Sequence, residues 1–580
     1  MAAYQYQQLK EREIRLLILS AGEYNSGLSG MIRHVSIDNP RTYEALSYTW
    51  GDSGGTRYSI SCDNRRLEVT SNLNLALLRL RNNAPRITRT LWIDQLCINQ
   101  ANTDERNQQV SLMGEIYRKA RQVDVWLGEE DDETAIGLSL LPKLLAAFRE
   151  GSGDGDDLDD EVPDLYTKFG LPFIRSARWT AFAQLFARPY FRRMWVVQEV
   201  ALGSKVIVYC GSHSVNWEDL AKSGLCLLTD FTDRPIEAHK VIQMIRAYRK
   251  QKIESNESKL IDFLFNSYNL QCFDPRDKIY GMLGLVTDGL DIKPNYHLSV
   301  HKVYTSFTKN MMVRGSSLAI LCNVLHPKCL EGLPSWVPDW TATTAVRQSF
   351  VSLTSKHRNT AAAYEKDIIR FSADEQEVYL QGTVVGTVRA LGSVMPESSP
   401  DQVLPEWEGL AQSVLPYHPT GEDFPTVFWR TLIASDAKHD TRSSDVLQNR
   451  YESWNNLVEH KRDYAIAQVH PEHEIPPWQP IEPINTVSWK AQEFERMVED
   501  ASFFRRIYAT DNGFLGLAPA SAREGDQLCI LYGGPVPFIL RQMLPTTNKY
   551  TLVGECFALG LMDSEGLDAN RFLTQQFELR

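Results

Sequence analysis

Over the first 230 residues, hydrophobic positions recur with a period of two in some stretches and near 3.6 in others. Tyr43–Tyr48 (YEALSY) is a short apolar run and predicts a buried strand. Residues 56–70, TRYSISCDNRRLEVT, read as a hairpin with Asp63-Asn64 at the turn. Ser71–Leu80 is helical in period, with Leu73, Leu77 and Leu80 along one stripe. Thr90–Asp94 (TLWID) predicts a second buried strand. Asn102 with Glu105 three residues on has the spacing of a capping box. Val110, Met113, Ile116, Tyr117 and Ala120 then fall on one helix face. Gln122–Leu127 predicts a third strand, ended by Gly128. Strand–helix–strand crossovers of this length imply a parallel α/β sheet with helices packed on its faces.

The pattern then breaks. Between Asp154 and Asp164 the chain carries acids and no base, without the register of a calcium loop, so an acidic insertion near 129–175 reads as solvated surface. Helical period resumes over Ser176–Ala187, breaks at Arg188-Pro189-Tyr190-Phe191, and returns over Arg193–Leu202. Lys205–Cys210 predicts a strand, and residues 216–220 open a further helix. A mostly helical region follows over 231–345, closing on the Pro- and Trp-rich LPSWVPDWT. Residues 346–580 read as a β-rich domain with strands near 377–391 and after 505, and a helix-rich insertion near 401–505. The expected domains are therefore 1–230, 231–345 and 346–580.

Composition narrows the class. The 580 residues are 43% hydrophobic and 23% charged, which excludes a mainly disordered or collagen-like chain. A net charge of −12 argues against non-specific nucleic-acid binding and against anionic membrane surfaces. Nine cysteines without a C-x-x-C argue against a disulfide framework or a zinc ribbon. No apolar run reaches the ~18 residues of a membrane span. The expectation is a cytoplasmic protein. His297-x-x-x-His301 lacks the Glu of a zinc-binding helix, and His470-Pro-Glu-His473 lies in a Pro-rich stretch, so no metal is expected. No phosphate-binding glycine loop and no G-x-S-x-G elbow occur. Asp274-Pro275-Arg276-Asp277 reads as a helix start.

Three long motifs occur in order: YEALSYTWGD (43–52), LWIDQLCINQ (91–100) continuing to Gly128, and RPYFRRMWVVQEVAL (188–202). Together they resemble the fungal heterokaryon incompatibility (HET) domain. The later DPRDKIYGMLGL and LPSWVPDWT resemble segments that follow it. The resemblance implies a role in non-self recognition and regulated cell death. HET domains are in turn distantly similar to Toll/interleukin receptor (TIR) domains, which implies a flavodoxin-like parallel sheet with helices on both faces. TIR NAD hydrolases carry Trp-x-x-x-Glu on a helix, with the Glu catalytic, and Trp195-x-x-x-Glu199 has that spacing.

The residues support two readings of this region. In the first, Glu199 faces a crevice at the carboxyl ends of the strands and stabilises positive charge on a ribose as the nicotinamide bond of NAD breaks. Trp195 or Trp50 would stack on the base, Asp52 and Asp94 would accept ribose hydroxyls, and Ser47 and Tyr48 would line the loop. NAD is then a substrate, and no cofactor is implied. In the second, Trp195 is core, Glu199 pairs with Arg192 or Arg193, Asp94 caps a loop, and the domain signals by self-association or by binding another incompatibility protein.

Overall fold

The computed structural model describes residues 2–24, 26–51, 54–81, 87–151, 168–172, 176–230, 236–250, 257–286, 292–315, 317–342, 348–354, 369–397, 402–414, 419–435, 444–469, 484–545, 547–562 and 573–580. The acidic run, Asp52 and the 470–473 histidines lie outside them. The chain forms two compact units. The first holds Met1–Asn256 and Asn269–Ser299, the second Glu257–Tyr268 and Val300–Arg580.

The first unit is built on a nine-stranded sheet. Its strands are β1 (Glu13–Leu19), β2 (Ser29–Ser36), β3 (Glu44–Tyr48), β4 (Arg57–Cys62), β5 (Arg65–Thr70), β6 (Arg89–Trp92), β7 (Gln122–Trp126), β8 (Val206–Cys210) and β9 (His213–Asn216). The spatial order is β5-β4-β2-β1-β6-β3-β7-β8-β9. Strands β6, β3, β7 and β8 run parallel, as the crossover pattern predicts. Numbered among themselves in chain order, they lie 2-1-3-4.

The sheet as a whole is mixed rather than parallel. Strand β1 pairs antiparallel with both β6 and β2, and β9 is an antiparallel edge. The β4–β5 hairpin turns at Asp63-Asn64, both at positive φ, as a type I′ turn requires. Backbone bonds from Tyr4 and Ala2 to Arg66, each 2.8 Å, cover the outer side of β5.

Among the described residues, the helices of this unit are α1 (Ser71–Leu80), α2 (Asp94–Cys97), α3 (Thr103–Lys119), α4 (Thr134–Leu138), α5 (Leu141–Gly151), α6 (Ala177–Ala187), α7 (Val196–Leu202), α8 (Trp217–Asp230), α9 (Ile236–Lys250) and α10 (Asp277–Leu283). Successive side chains of a strand point to opposite faces. Leu46 and Tyr48 of β3 pack with Leu73, Ala76, Leu77 and Leu80 of α1 in one core. Trp92 meets Tyr117 of α3 edge-on at 5.5 Å, and Ser47 meets α7. Helices thus cover both faces, which is why every residue of β3 is buried.

Local signals mostly hold, with instructive exceptions. Thr70 caps α1 through Leu73 N. Asn102 accepts from Glu105 N at 3.1 Å, but the Glu105 carboxylate does not return to the cap. It pairs instead with Arg15, which is fully buried on β1. Asp94 does not end a strand but opens α2. Helix α7 begins at Val196 rather than Arg193, because Arg193 is extended.

At the amino ends of the parallel strands lies a closed ionic cluster. Arg89 donates to Glu44 Oε2 and to Asp124 Oδ2, both at 2.7 Å. Arg121 takes Glu44 Oε1, and Gln122 Nε2 takes Asp124 Oδ1 at 2.7 Å. Burial pushes the Asp124 carboxyl up to about 6, against the pull of Arg89.

The second unit holds the strands β10 (Arg370–Phe371), β11 (Val378–Leu391), β12 (Arg505–Thr510), β13 (Leu515–Pro519), β14 (Gln527–Leu531), β15 (Phe538–Gln542), β16 (Lys549–Glu555), β17 (Phe557–Ala558) and β18 (Thr574–Leu579). Ladders β11–β14, β14–β15, β15–β16, β16–β18 and β18–β11 close a five-stranded ring. Strand β11 also pairs with β12, which leads to β13 and β17. Register shifts at Val384/Gly386 and Val388/Ala390 let one long strand serve both. Val388, Tyr508, Phe514, Leu528, Ile530 and Ile539 are among the residues of its core. Between β11 and β12 come, among the described residues, four helices, Leu404–Val414, Phe424–Leu432, Ser444–Val469 and Ile484–Ser502.

Candidate functional site

Strand β3 ends where the chain turns into the Thr49-Trp50-Gly51 loop, and β6 ends at Trp92, two residues before Asp94 opens α2. Both ends lie at the carboxyl edge of the parallel strands, the edge where open α/β sheets bind ligands. Helix α7 brings Glu199 to the same edge. Its carboxylate accepts a short hydrogen bond from Ser47 Oγ. Ser47 Oγ is also 2.7 Å from the Tyr190 hydroxyl, contributed by the turn over Pro189–Arg192. Arg193 reaches both Glu199 oxygens at 3.5 Å. Asp94 adds a second carboxylate. It accepts from Trp50 Nε1 at 2.7 Å and from Gln95 N at 2.7 Å.

The electrostatics follow from burial. Desolvation pushes the Glu199 carboxyl up, and the charge of Asp94 adds to the rise. The Arg193 guanidinium and the Ser47 hydroxyl oppose it. Asp94 is likewise raised by burial, with Arg193 and Trp50 opposing. For Arg193 burial pulls down, but Glu199, Asp94 and Tyr190 outweigh it and the guanidinium stays charged. One cation thus lies within the field of two carboxylates.

The crevice expected at Glu199 is closed. Glu199 is 1% exposed and Ser47 is fully buried. Arg193 keeps 18% of its side chain exposed, and Trp50 keeps 39% of its surface. Tyr48 turns to the α1 face, its hydroxyl donating to Gln95 Oε1 at 3.3 Å. Trp195 departs from the cluster, since its indole donates to Asp277 Oδ2 at 3.3 Å. The Trp195-x-x-x-Glu199 spacing brings the Cβ atoms together, yet the distal atoms go to different partners. Gln100 Nε2 closes the turn onto Asp94 O at 3.0 Å. His297 bonds Asp104 Oδ1 at 2.8 Å. Asp52 lies outside the described residues.

Tyr190 and Gln95 were not among the sequence candidates. Tyr190 joins the cluster through a contact across 143 residues, which no local spacing signals, whereas Gln95 joins it through its neighbour Asp94.

An α/β unit with a polar cluster at its strand tips, followed by a closed β ring, defines a protein of two architectures. Residues 43–199 match the model of the heterokaryon incompatibility protein (HET) family. Residues 419–575 match that of the Het-6 β-barrel domain. The chain carries an HET domain and a Het-6 barrel. It is similar to Heterokaryon incompatibility protein 6, OR allele, of Neurospora crassa, at 27% identity over 96% of this chain and 94% of that one. No solved structure matches the chain.

Proposed function

We propose that this protein acts in heterokaryon incompatibility, executing cell death when unlike fungal cells fuse. The observation that carries the role is the pairing of both matched domains in one chain, along nearly the whole length of a similarly named relative. For mechanism, the burial of Glu199 favours the non-catalytic reading in the state described. Its carboxylate is occupied by Ser47 and Arg193, and a ligand would have to displace an ion pair before touching it. The HET domain then works by association, with a second copy or with another incompatibility protein. A cytoplasmic location belongs to the same proposal, and the free cysteines suit a reducing compartment.

A second reading has its own support. The 2-1-3-4 order is that of flavodoxin-type sheets, and Ser47, Asp94, Arg193 and Glu199 converge at their ligand-binding edge. On this reading, which includes distant kinship with TIR domains, the site is latent. Once Arg193 swings out, Glu199 would stabilise the ribosyl cation as NAD loses nicotinamide.

Glu199→Gln separates the two. The association reading expects the variant to kill on induced expression as wild type does, with no nicotinamide released by either purified protein. If a variant with an unchanged melting temperature loses both killing and nicotinamide release, association is wrong and the hydrolase reading takes its place.

A further inference from the structure

The HET-family match ends at Glu199, yet the residues that flank Glu199 are held by a segment some seventy positions further on. That segment, Asn269–Ser299, belongs to the first unit, although the stretches on both sides of it, Glu257–Tyr268 and Val300 onward, belong to the second. It grips residues 192–198 at four points. Gln271 N donates to Arg192 O at 2.5 Å, and Met194 N donates to Gln271 O at 2.9 Å. These two bonds straddle Arg193 and hold it extended as a one-residue bridge. Asp277 takes the Trp195 indole, while its other oxygen accepts from Tyr296 at 2.6 Å. Gly284 N donates to Gln198 Oε1 at 2.9 Å.

The same segment grips α3. Tyr296 N bonds Asn107 Oδ1 at 2.8 Å, and the Arg106 guanidinium lies 4.2 Å over the Tyr296 ring. Gly284 and Gly114 meet back to back. A Cβ on Gly284 would lie 2.9 Å from Gly114 Cα and 2.5 Å from Gln198 Oε1. The sides of the 192–199 stretch are therefore divided. Arg192, Met194, Trp195 and Gln198 face the segment, and Arg193 and Glu199 face the cluster.

We propose that the described residues 269–286 and 292–299 form a clasp that holds the carboxyl-edge cluster shut by fixing Arg193 over Glu199. Because the chain enters and leaves the clasp through the second unit, an event there can reach the HET site through covalent connection alone. The clasp deepens the latent-site reading. Its physical test needs no turnover, so the two can fail separately.

The probe is the full chain carrying Ser47→Cys, with the introduced thiol challenged by iodoacetamide and followed by peptide mass spectrometry. It should label slowly, because position 47 is buried. Adding Gly284→Ala wedges the clasp from α3 without touching the cluster, and labelling should rise at least tenfold. Asp277→Asn is the milder second variant and should act in the same direction. It decides the matter if Gly284→Ala costs the cooperative melting transition. Unchanged labelling, in a variant whose backbone amides over 271–284 exchange faster with deuterium, would overturn the clasp. Faster labelling without nicotinamide release would uphold the clasp and count against NAD hydrolysis.

Discussion

The parallel strands of the HET unit carry an arginine–carboxylate cluster at each end, and the two are built to different standards. At the amino ends all four oxygens of Glu44 and Asp124 have partners, and Arg89 bonds to both residues at 2.7 Å. At the carboxyl ends the Glu199–Arg193 contacts are 3.5 Å, beyond the usual hydrogen-bond range, and the indole that bonds Asp94 is exposed. Short contacts on every oxygen, with one guanidinium shared between two carboxylates, make the first cluster a fastener. The longer contacts to Arg193 make the second easier to open. The contrast assigns structure to one end of the sheet and candidate function to the other, on identical chemical groups.

Three measurements can break or sharpen that contrast. The largest effect is expected from Arg89→Met, which leaves buried Asp124 without a cation and Glu44 with Arg121 alone. Urea unfolding at pH 8 should show a loss of about 3–5 kcal/mol. A loss below ~1 kcal/mol would remove the fastener role.

Next comes pH. Asp124 is raised to about 6 in the fold, with burial the main cause, while an unfolded aspartate titrates near ~4. The native state therefore holds this proton longer. The stabilisation is fully present below the unfolded value and is lost as pH rises through about 6. Wild type minus Asp124→Asn should then be larger at pH 4 than at pH 7.5 by about 2–3 kcal/mol. A flat difference would mean that Arg89 cancels the burial cost.

The smallest change is expected from Arg193→Met, about 1–2 kcal/mol. Glu199 keeps its Ser47 hydrogen bond, and its raised pKa lets it take up a proton instead of remaining a bare charge. A loss as large as that of Arg89→Met would make the two clusters equivalent.

How much of this was legible in the sequence depends on range. The Asp63-Asn64 hairpin, the α1 stripe and the Asn102 cap are set by neighbours within four residues, and each is found where the pattern puts it. The parallel core was readable from crossover lengths. Strands β1 and β2 were not anticipated, because EIRLLIL is nearly all buried and lacks strand alternation. Their antiparallel addition is what makes the sheet mixed. The pairing of Glu199 with Arg193 was one of the readings left open. Its bond to Ser47 spans 152 residues and required the fold. The partner of the Trp195 indole, Asp277, likewise arrives from 82 residues away.

The five-membered ring of the second unit limits how another chain could attach to it. Each of its strands already has a neighbour on both sides, with five ladders closing on themselves. A foreign strand cannot join that circle without unzipping it. Exchange of ring strands between two copies would likewise demand that several seams part together. A partner that engages the ring must therefore meet its rims and outward side chains, which can change while the ladders beneath them stay intact.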